Sequence, residues 1–382
     1  MSDPDNGPEV VRLLAPDGRR VHDARFAAYE DRVAHLGADT LRAMYGDMVL
    51  ARRFDTEATS LQRQGELALF APALGQEAAQ VGSAHAMAPQ DMVFPSYREH
   101  GVLSVRGVDP LDVLSLFRGV DYGAWDPSEA GVHLYTLVIG AQTLHATGYA
   151  MGLQRDGLVG TGDPARDAAV VAYFGDGATS QGDTNEALVF AAVNQAPVVF
   201  FCQNNGWAIS EPTTRQARVP LADRGKGVGM PTVRVDGNDV LATFAVTAEA
   251  LERARSGGGP TFVEAVTYRM GAHTTSDDPT RYRTREEEES WRRRDPIDRL
   301  RAHLAAEGEL GEDYLASVAA EADALGARLR QGVRAMTAPP AESMFEHVYA
   351  SAHAGVARER REFVQGGDAA APVAAPREGS TR

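Results

Sequence analysis

Two short apolar runs, AAVVAYF (168–174) and VVFFCQ (198–203), flank a helical stretch, DTNEALVFAAVNQ (183–195). Neither run alternates polar with apolar residues. Short, unbroken runs rich in β-branched and aromatic residues read as strands buried on both faces. Pro197 stops the helix just before the second run. A strand–helix–strand unit closes as a right-handed crossover, which makes its strands parallel. A third run, TFVEAVTYR (261–269), follows a helix near 239–256 that GGGP ends.

The flanking pattern is helical. Residues 39–64 form a long amphipathic period and residues 75–87 a shorter one. DPLDVLSLF (109–117) opens on a helix-start signal, and residues 141–154 read as another helix. From about Arg285 to Val364 the chain is mostly helical and at first heavily charged. No linker divides the middle. The expectation is a single α/β domain over residues 13–364, with a mostly parallel sheet, helices on both faces, and N- and C-terminal helical extensions. The polar residues 1–12 and the Gly/Ala/Pro-rich residues 365–382 are expected to be disordered.

Composition excludes several classes. A net charge of -15 argues against nucleic acid, whose phosphates need clustered cations. The one cysteine, Cys202, sits in an apolar run and excludes a disulfide framework or a Cys-rich zinc site. No run approaches the ~20 apolar residues of a membrane span. The acidic start lacks the pattern of a signal peptide, so a cytoplasmic protein is expected.

Two loops carry the chemistry. Parallel strands joined by a helix place their C-terminal loops on one sheet edge, where open α/β sheets bind ligands. The GDG loop (175–177) and the NNGW loop (204–207) should therefore be neighbours. Asp176 and Asn205 would offer one carboxylate and one amide carbonyl. That is an incomplete oxygen set for a hard cation, of the kind Mg²⁺ completes with phosphate and water. A tight turn capped by Asp is the plainer reading of GDG alone; the asparagine pair favours a metal-diphosphate site.

GDG followed after 26 residues by NN resembles the thiamine-diphosphate fingerprint. The resemblance extends to the alpha subunit of the decarboxylating component of 2-oxoacid dehydrogenase complexes. It is carried by LQRQGEL (61–67), GQEAAQVGSA (75–84), YREHGVL (97–103), GDGATSQGD (175–183), FFCQNNGWAIS (200–210), RVDGNDVLA (234–242) and EAVTYRMGAHTTSDDPTRYR (264–283). The resemblance implies the thiamine-diphosphate-binding fold. It implies Mg²⁺ on Asp176, the Asn205 side chain and the Trp207 carbonyl. Tyr97 and Arg98 should hold the diphosphate, with backbone N–H groups of Gly177 and Ala178 beside them. Ile139 should touch the aminopyrimidine through its backbone. His273 matches the active-site histidine, with an ordinary pKa near ~6.5 that suits proton transfer. The implied activity is oxidative decarboxylation of a 2-oxoacid and transfer of the acyl group to a lipoyl arm. The implied partners are a beta subunit, in a heterotetramer of two alpha and two beta chains, and a lipoyl acyltransferase core. Branched-chain 2-oxoacids are favoured, with pyruvate the alternative.

The chain departs from that pattern in places. TLVIGAQ (136–142) stands where relatives carry a Ser/Thr-rich segment, and Ala141 removes a threonine that binds K⁺ in some of them. Gln203 stands where some relatives have an arginine on the diphosphate, and Ser96 where glutamine is common. Thr274 and Thr284 match regulatory serines of mitochondrial relatives. Two other enzyme readings fail on spacing: Ser180 in GATSQG lacks the nucleophile-elbow glycine, and GKGVG (225–229) follows no apolar strand. A non-catalytic subunit is the remaining rival, and the intact Asp176, Asn205 and Arg98 speak against it.

Overall fold

The structure, a computed structural model, describes residues 10–367. Its strands are β1 (Val10–Val11), β2 (Met92–Phe94), β3 (Val170–Gly175), β4 (Val198–Asn204), β5 (Trp207–Ala208), β6 (Glu211–Pro212), β7 (Thr232–Asp236) and β8 (Thr261–Val266). Six of them form one sheet in the order β1-β7-β8-β4-β3-β2. Every pairing in it is parallel. β5 and β6 form a separate antiparallel hairpin.

Both faces of the sheet are covered, as the unbroken apolar runs require. Val170, Ala172 and Phe174 of β3, with Val198, Phe200 and Cys202 of β4, point into one core with Ala146, Ala150, Ala187 and Leu188. Those last four lie on the helices Ala141–Arg155 and Gly182–Asn194. The alternate residues Val171, Tyr173, Val199 and Phe201 are equally buried. The helix Val240–Arg255 packs on β4, β7 and β8. The step from β3 to β4 and the step from β7 to β8 run in opposite directions across the sheet. Right-handed crossovers then place their helices on opposite faces, and the winding reverses where β4 meets β8.

The sequence pattern located the main elements within a few residues. The third strand is shorter than expected. It ends at Val266, where the Thr267 N–H closes the ladder by donating to the carbonyl of Asn204, the last residue of β4, at 2.9 Å. Residues 10–12, expected to be disordered, are ordered instead. Val10–Val11 pairs with Arg234–Val235. The N–H groups of Leu13 and Leu14 donate to Asp239 Oδ2 at 2.7 and 2.6 Å. Residues 1–9 and 368–382 lie outside the described residues. A first compact unit runs to Ala335 and a second begins at Met336, where one domain to 364 was expected. The second unit holds the helix Ala354–Gly367, which takes in residues 365–367. Its Phe345 and Phe363 rings lie 5.6 Å apart. Among the described residues no helix is long and apolar enough to cross a membrane.

Candidate active site

The carboxyl ends of β3, β4 and β8 build the site. β3 runs into a 3-10 turn, Asp176–Ser180, that leaves Asp176 1% exposed. Thr213 Oγ1 donates to Asp176 Oδ2 at 3.2 Å and Gln216 Nε2 donates to the same oxygen at 2.8 Å. Oδ1 therefore has no side-chain donor among the described residues. Burial raises the Asp176 pKa, and the Gln216 and Thr213 hydrogen bonds oppose that. The GDG turn meets the loop after β4 closely. A Cβ added at Gly177 would stand 2.9 Å from the Ala208 Cβ, so only glycine fits there.

The two asparagines divide the work. Asn204 belongs to the scaffold: its Nδ2 donates to buried Glu264 at 2.8 Å and its Oδ1 accepts from Thr213 at 3.0 Å. Asn205 lines the cavity. Its Nδ2 donates to Gln76 Oε1 and its Oδ1 accepts from the Trp207 N–H, both at 3.3 Å.

A cavity of about 290 Å³ opens here. All nine residues singled out from the sequence line it: Tyr97, Arg98, Ile139, Asp176, Gly177, Ala178, Asn205, Trp207 and His273. Arg98 holds the His273 loop. Its Nη1 donates to the Pro72 carbonyl, and its Nη2 donates to the His273 carbonyl at 2.8 Å and approaches His273 Nδ1 at 3.3 Å.

Three lining residues escaped the sequence reading. Arg269 is fully buried. It reaches the Trp207 carbonyl and His273 Nδ1, each at 3.2 Å, and the Ile209 carbonyl at 2.7 Å. Gln76 and Gln142 face the same space, and Gln76 Nε2 and Gln142 Oε1 are buried without a partner. All three sit in motif-bearing segments, but only the fold shows which way they face.

His273 departs from expectation. Burial first, then the guanidiniums of Arg98 and Arg269, push its pKa down to about 4, with Asp277 opposing. At neutral pH the ring is therefore uncharged. Two cationic donors face Nδ1, so Nδ1 accepts and the ring proton sits on Nε2. The ordinary titration expected from sequence is replaced by a fixed tautomer.

Gln203 is absorbed elsewhere. Its Nε2 donates to Glu99 at 2.6 Å and its Oε1 accepts from Gln80 at 3.1 Å. Glu99 also accepts from the Ser96 N–H and hydroxyl, both at 2.8 Å, and burial raises its pKa. Arg98 and Arg269 are thus the cavity's guanidiniums. The altered segment 136–142 leaves Leu137 and Val138 59% and 70% exposed and Ile139 at the cavity. Ser180 is exposed and bonds Gln216, and residues 223–227 form a short helix; neither supports a hydrolase or dinucleotide site.

The site can take an anion with a cation. Among the described residues no three His, Cys, Asp or Glu side chains group to hold a metal alone. A divalent ion here would need oxygens from a bound phosphate besides Asp176 Oδ1 and Asn205 Oδ1. The orphaned Gln76 donor and Gln142 acceptor fit a polar ligand that satisfies both. The Trp207 carbonyl is shared with the Arg269 guanidinium.

A carboxylate, an amide and two guanidiniums at the carboxyl edge of a parallel sheet form a cavity of the kind in which α/β folds bind anionic ligands. The sequence model of the dehydrogenase E1 component family matches residues 45–327. The chain belongs to that family, as an alpha subunit of the 2-oxoacid dehydrogenase type. It is 46% identical, over 93% of either chain, to the 3-methyl-2-oxobutanoate dehydrogenase subunit alpha of Mycobacterium tuberculosis. The pyruvate dehydrogenase E1 component subunit alpha of Staphylococcus epidermidis is 39% identical over 80% of this chain and 79% of its own. The corresponding subunit of Acholeplasma laidlawii is 43% identical over 73% of this chain and 79% of its own.

Proposed function

We propose that this chain is the alpha subunit of a branched-chain 2-oxoacid dehydrogenase that uses thiamine diphosphate and Mg²⁺. The carrying observation is the convergence of Asp176, Asn205, Arg98 and His273 on one cavity. The 46% identity to a 3-methyl-2-oxobutanoate dehydrogenase subunit supports the branched-chain preference. The pyruvate relatives keep pyruvate as the second reading.

Bound thiamine diphosphate supplies the electron sink for loss of carbon dioxide from a 2-oxoacid. Asp176 and Asn205 would hold a divalent cation that neutralises the diphosphate, with the Trp207 carbonyl a candidate third ligand. Arg98 and Tyr97 hold the diphosphate, with backbone N–H groups of Gly177 and Ala178. Ile139 contacts the aminopyrimidine through its backbone. His273 presents Nε2–H to the oxygen of the substrate or to the sulfur of the incoming lipoyl group, where a neutral donor stabilises developing negative charge.

The cavity's two carboxylates, Asp176 and Glu99, both already accept from side-chain donors. Asp176 is assigned to the cation and Glu99 is held by Gln203 and Ser96, and the resemblance to the family places the carboxylate that protonates the cofactor's pyrimidine ring on a beta subunit. The exposed Leu137, Val138 and Ile139 beside the cavity support a covering partner. The beta subunit pairs with this chain in a tetramer, and the acyl group passes to a lipoyl acyltransferase core. A cytoplasmic location goes with this reading.

The test is reconstitution. The chain mixed with its beta subunit should retain thiamine diphosphate and Mg²⁺ through desalting and decarboxylate 3-methyl-2-oxobutanoate faster than pyruvate. The chain alone should turn over neither. Turnover without the beta subunit would contradict this reading.

A further inference from the structure

Ile209 is the first central residue of the two-residue turn joining β5 to β6. Its φ is +56°, and it is one of two non-glycine residues with positive φ among the described residues. That position in a two-residue hairpin suits glycine, and a β-branched side chain is the type least tolerant of it. Glycine would relieve the strain, yet the chain places isoleucine there. Strain kept at one residue points to a task for its side chain.

The surroundings indicate the task. Ile209 lines the cofactor cavity and also a second, outer chamber of about 710 Å³ that shares Trp207 with it. Ile209 is 56% exposed, and Arg269 Nη2 donates to its carbonyl at 2.7 Å. The cavity lining mixes polar and charged side chains with apolar surface. The branched aliphatic residues in it are Ile139 and Ile209. The outer chamber is ringed by Glu211, Arg215, Asp277, Asp278 and Arg281, and Ile209 is its one branched aliphatic residue. A branched apolar side chain shared by the two chambers meets what passes between them.

We infer that Ile209 is a specificity-determining residue, contacting the alkyl group of the 2-oxoacid as it enters from the outer chamber. The inference rests on the function proposed above and adds the residue that reads the alkyl group. The Arg269 hydrogen bond to the Ile209 carbonyl fixes the backbone from which the side chain projects. A small 2-oxoacid gains little from the contact and a branched one gains more.

The experiment compares wild type, I209V and I209G, each assembled with the beta subunit. Three quantities are read: the ratio of kcat/KM for 3-methyl-2-oxobutanoate to that for pyruvate, the unfolding temperature, and thiamine diphosphate binding with Mg²⁺ by quenching of tryptophan fluorescence. I209G should lower the ratio about 10-fold, the low end of discrimination by an apolar contact. It should unfold at the same or a higher temperature, because the strain is gone. Cofactor affinity should stay within about twofold, since Asp176, Asn205 and Arg98 remain. I209V should keep the wild-type ratio within about twofold. An unchanged ratio in I209G, or a lower unfolding temperature, overturns the inference alone. A wild-type complex inactive on both acids overturns the proposed function and this inference with it.

Discussion

Nη1 of Arg269 stands 3.2 Å from Nδ1 of His273, the nitrogen that Arg98 approaches at 3.3 Å. Removing one cation should therefore be read by the ring. In Arg269→Met the His273 pKa should rise from about 4 toward the ordinary ~6.5. An NMR titration of the ring protons measures it, and an unmoved pKa would mean that burial alone sets the value. His273→Ala should slow acyl transfer to lipoyl by ~10²–10⁴-fold. Thiamine diphosphate binding should change far less. Loss of the cofactor in that variant would make His273 a binding residue.

Asp176→Asn should keep the fold and lose the cofactor. The position is a loop end held by Gln216 and Thr213, so an amide can stand there. It brings no charge to a divalent cation. Circular dichroism should match wild type, while calorimetric titration with Mg²⁺ and thiamine diphosphate shows no binding. Wild-type affinity in this variant would take Asp176 out of the metal site.

Gln203→Leu should cost stability in a pH-dependent way. The Gln203 amide donates to Glu99, whose pKa burial already raises. Losing that donor raises it further. A carboxyl with a raised folded pKa favours the folded state at low pH, and that stability is lost as pH rises through the folded value. The variant should lose about 1–3 kcal/mol at pH 8 and less at pH 5. Urea unfolding at both values checks this, and equal losses would show that Glu99 is not the group affected.

His100 sets an acid limit. Its Nδ1 accepts from Tyr135 at 2.6 Å and its Nε2 donates to the Ala71 carbonyl at 2.9 Å, inside a ring of aromatic residues. Burial first, with Arg98 assisting, pushes its pKa down to about 3. The unfolded chain binds this proton near ~6.5, so it carries more protons than the folded chain between the two values. Stability should fall as pH drops below ~6.5, by about 1.4 kcal/mol per unit for this residue. His100→Gln should flatten the slope between pH 6.5 and 5; an unchanged slope would assign it to other groups.

The sheet core was legible because burial on both faces writes itself into unbroken runs such as VVFFC. β1, β2 and β7 were not, since two to five residues carry too little pattern. The GDG and NN loops were legible because spacing alone puts them on one edge. Arg269 was not: it lies three residues past the end of β8 and read as more strand. Asn205 was assigned from its motif, and the fold adds why Asn204 stays out of the cavity: Glu264, 60 residues away, takes it. The tautomer of His273 depends on two guanidiniums that only the fold brings together.

β8 is the last strand among the described residues and yet lies inside the sheet, between β4 and β7. A ribosome making this protein has released five of the six sheet strands before the central piece exists. Until residues 261–266 emerge, β4 and β7 each carry a bare hydrogen-bonding edge, and β4 is almost wholly apolar. Such edges invite pairing with other chains. Synthesis at roughly 5–20 residues per second makes the exposure last seconds. The nascent chain is therefore a natural client for chaperones, and the cofactor loops can close only after that strand has slotted into place.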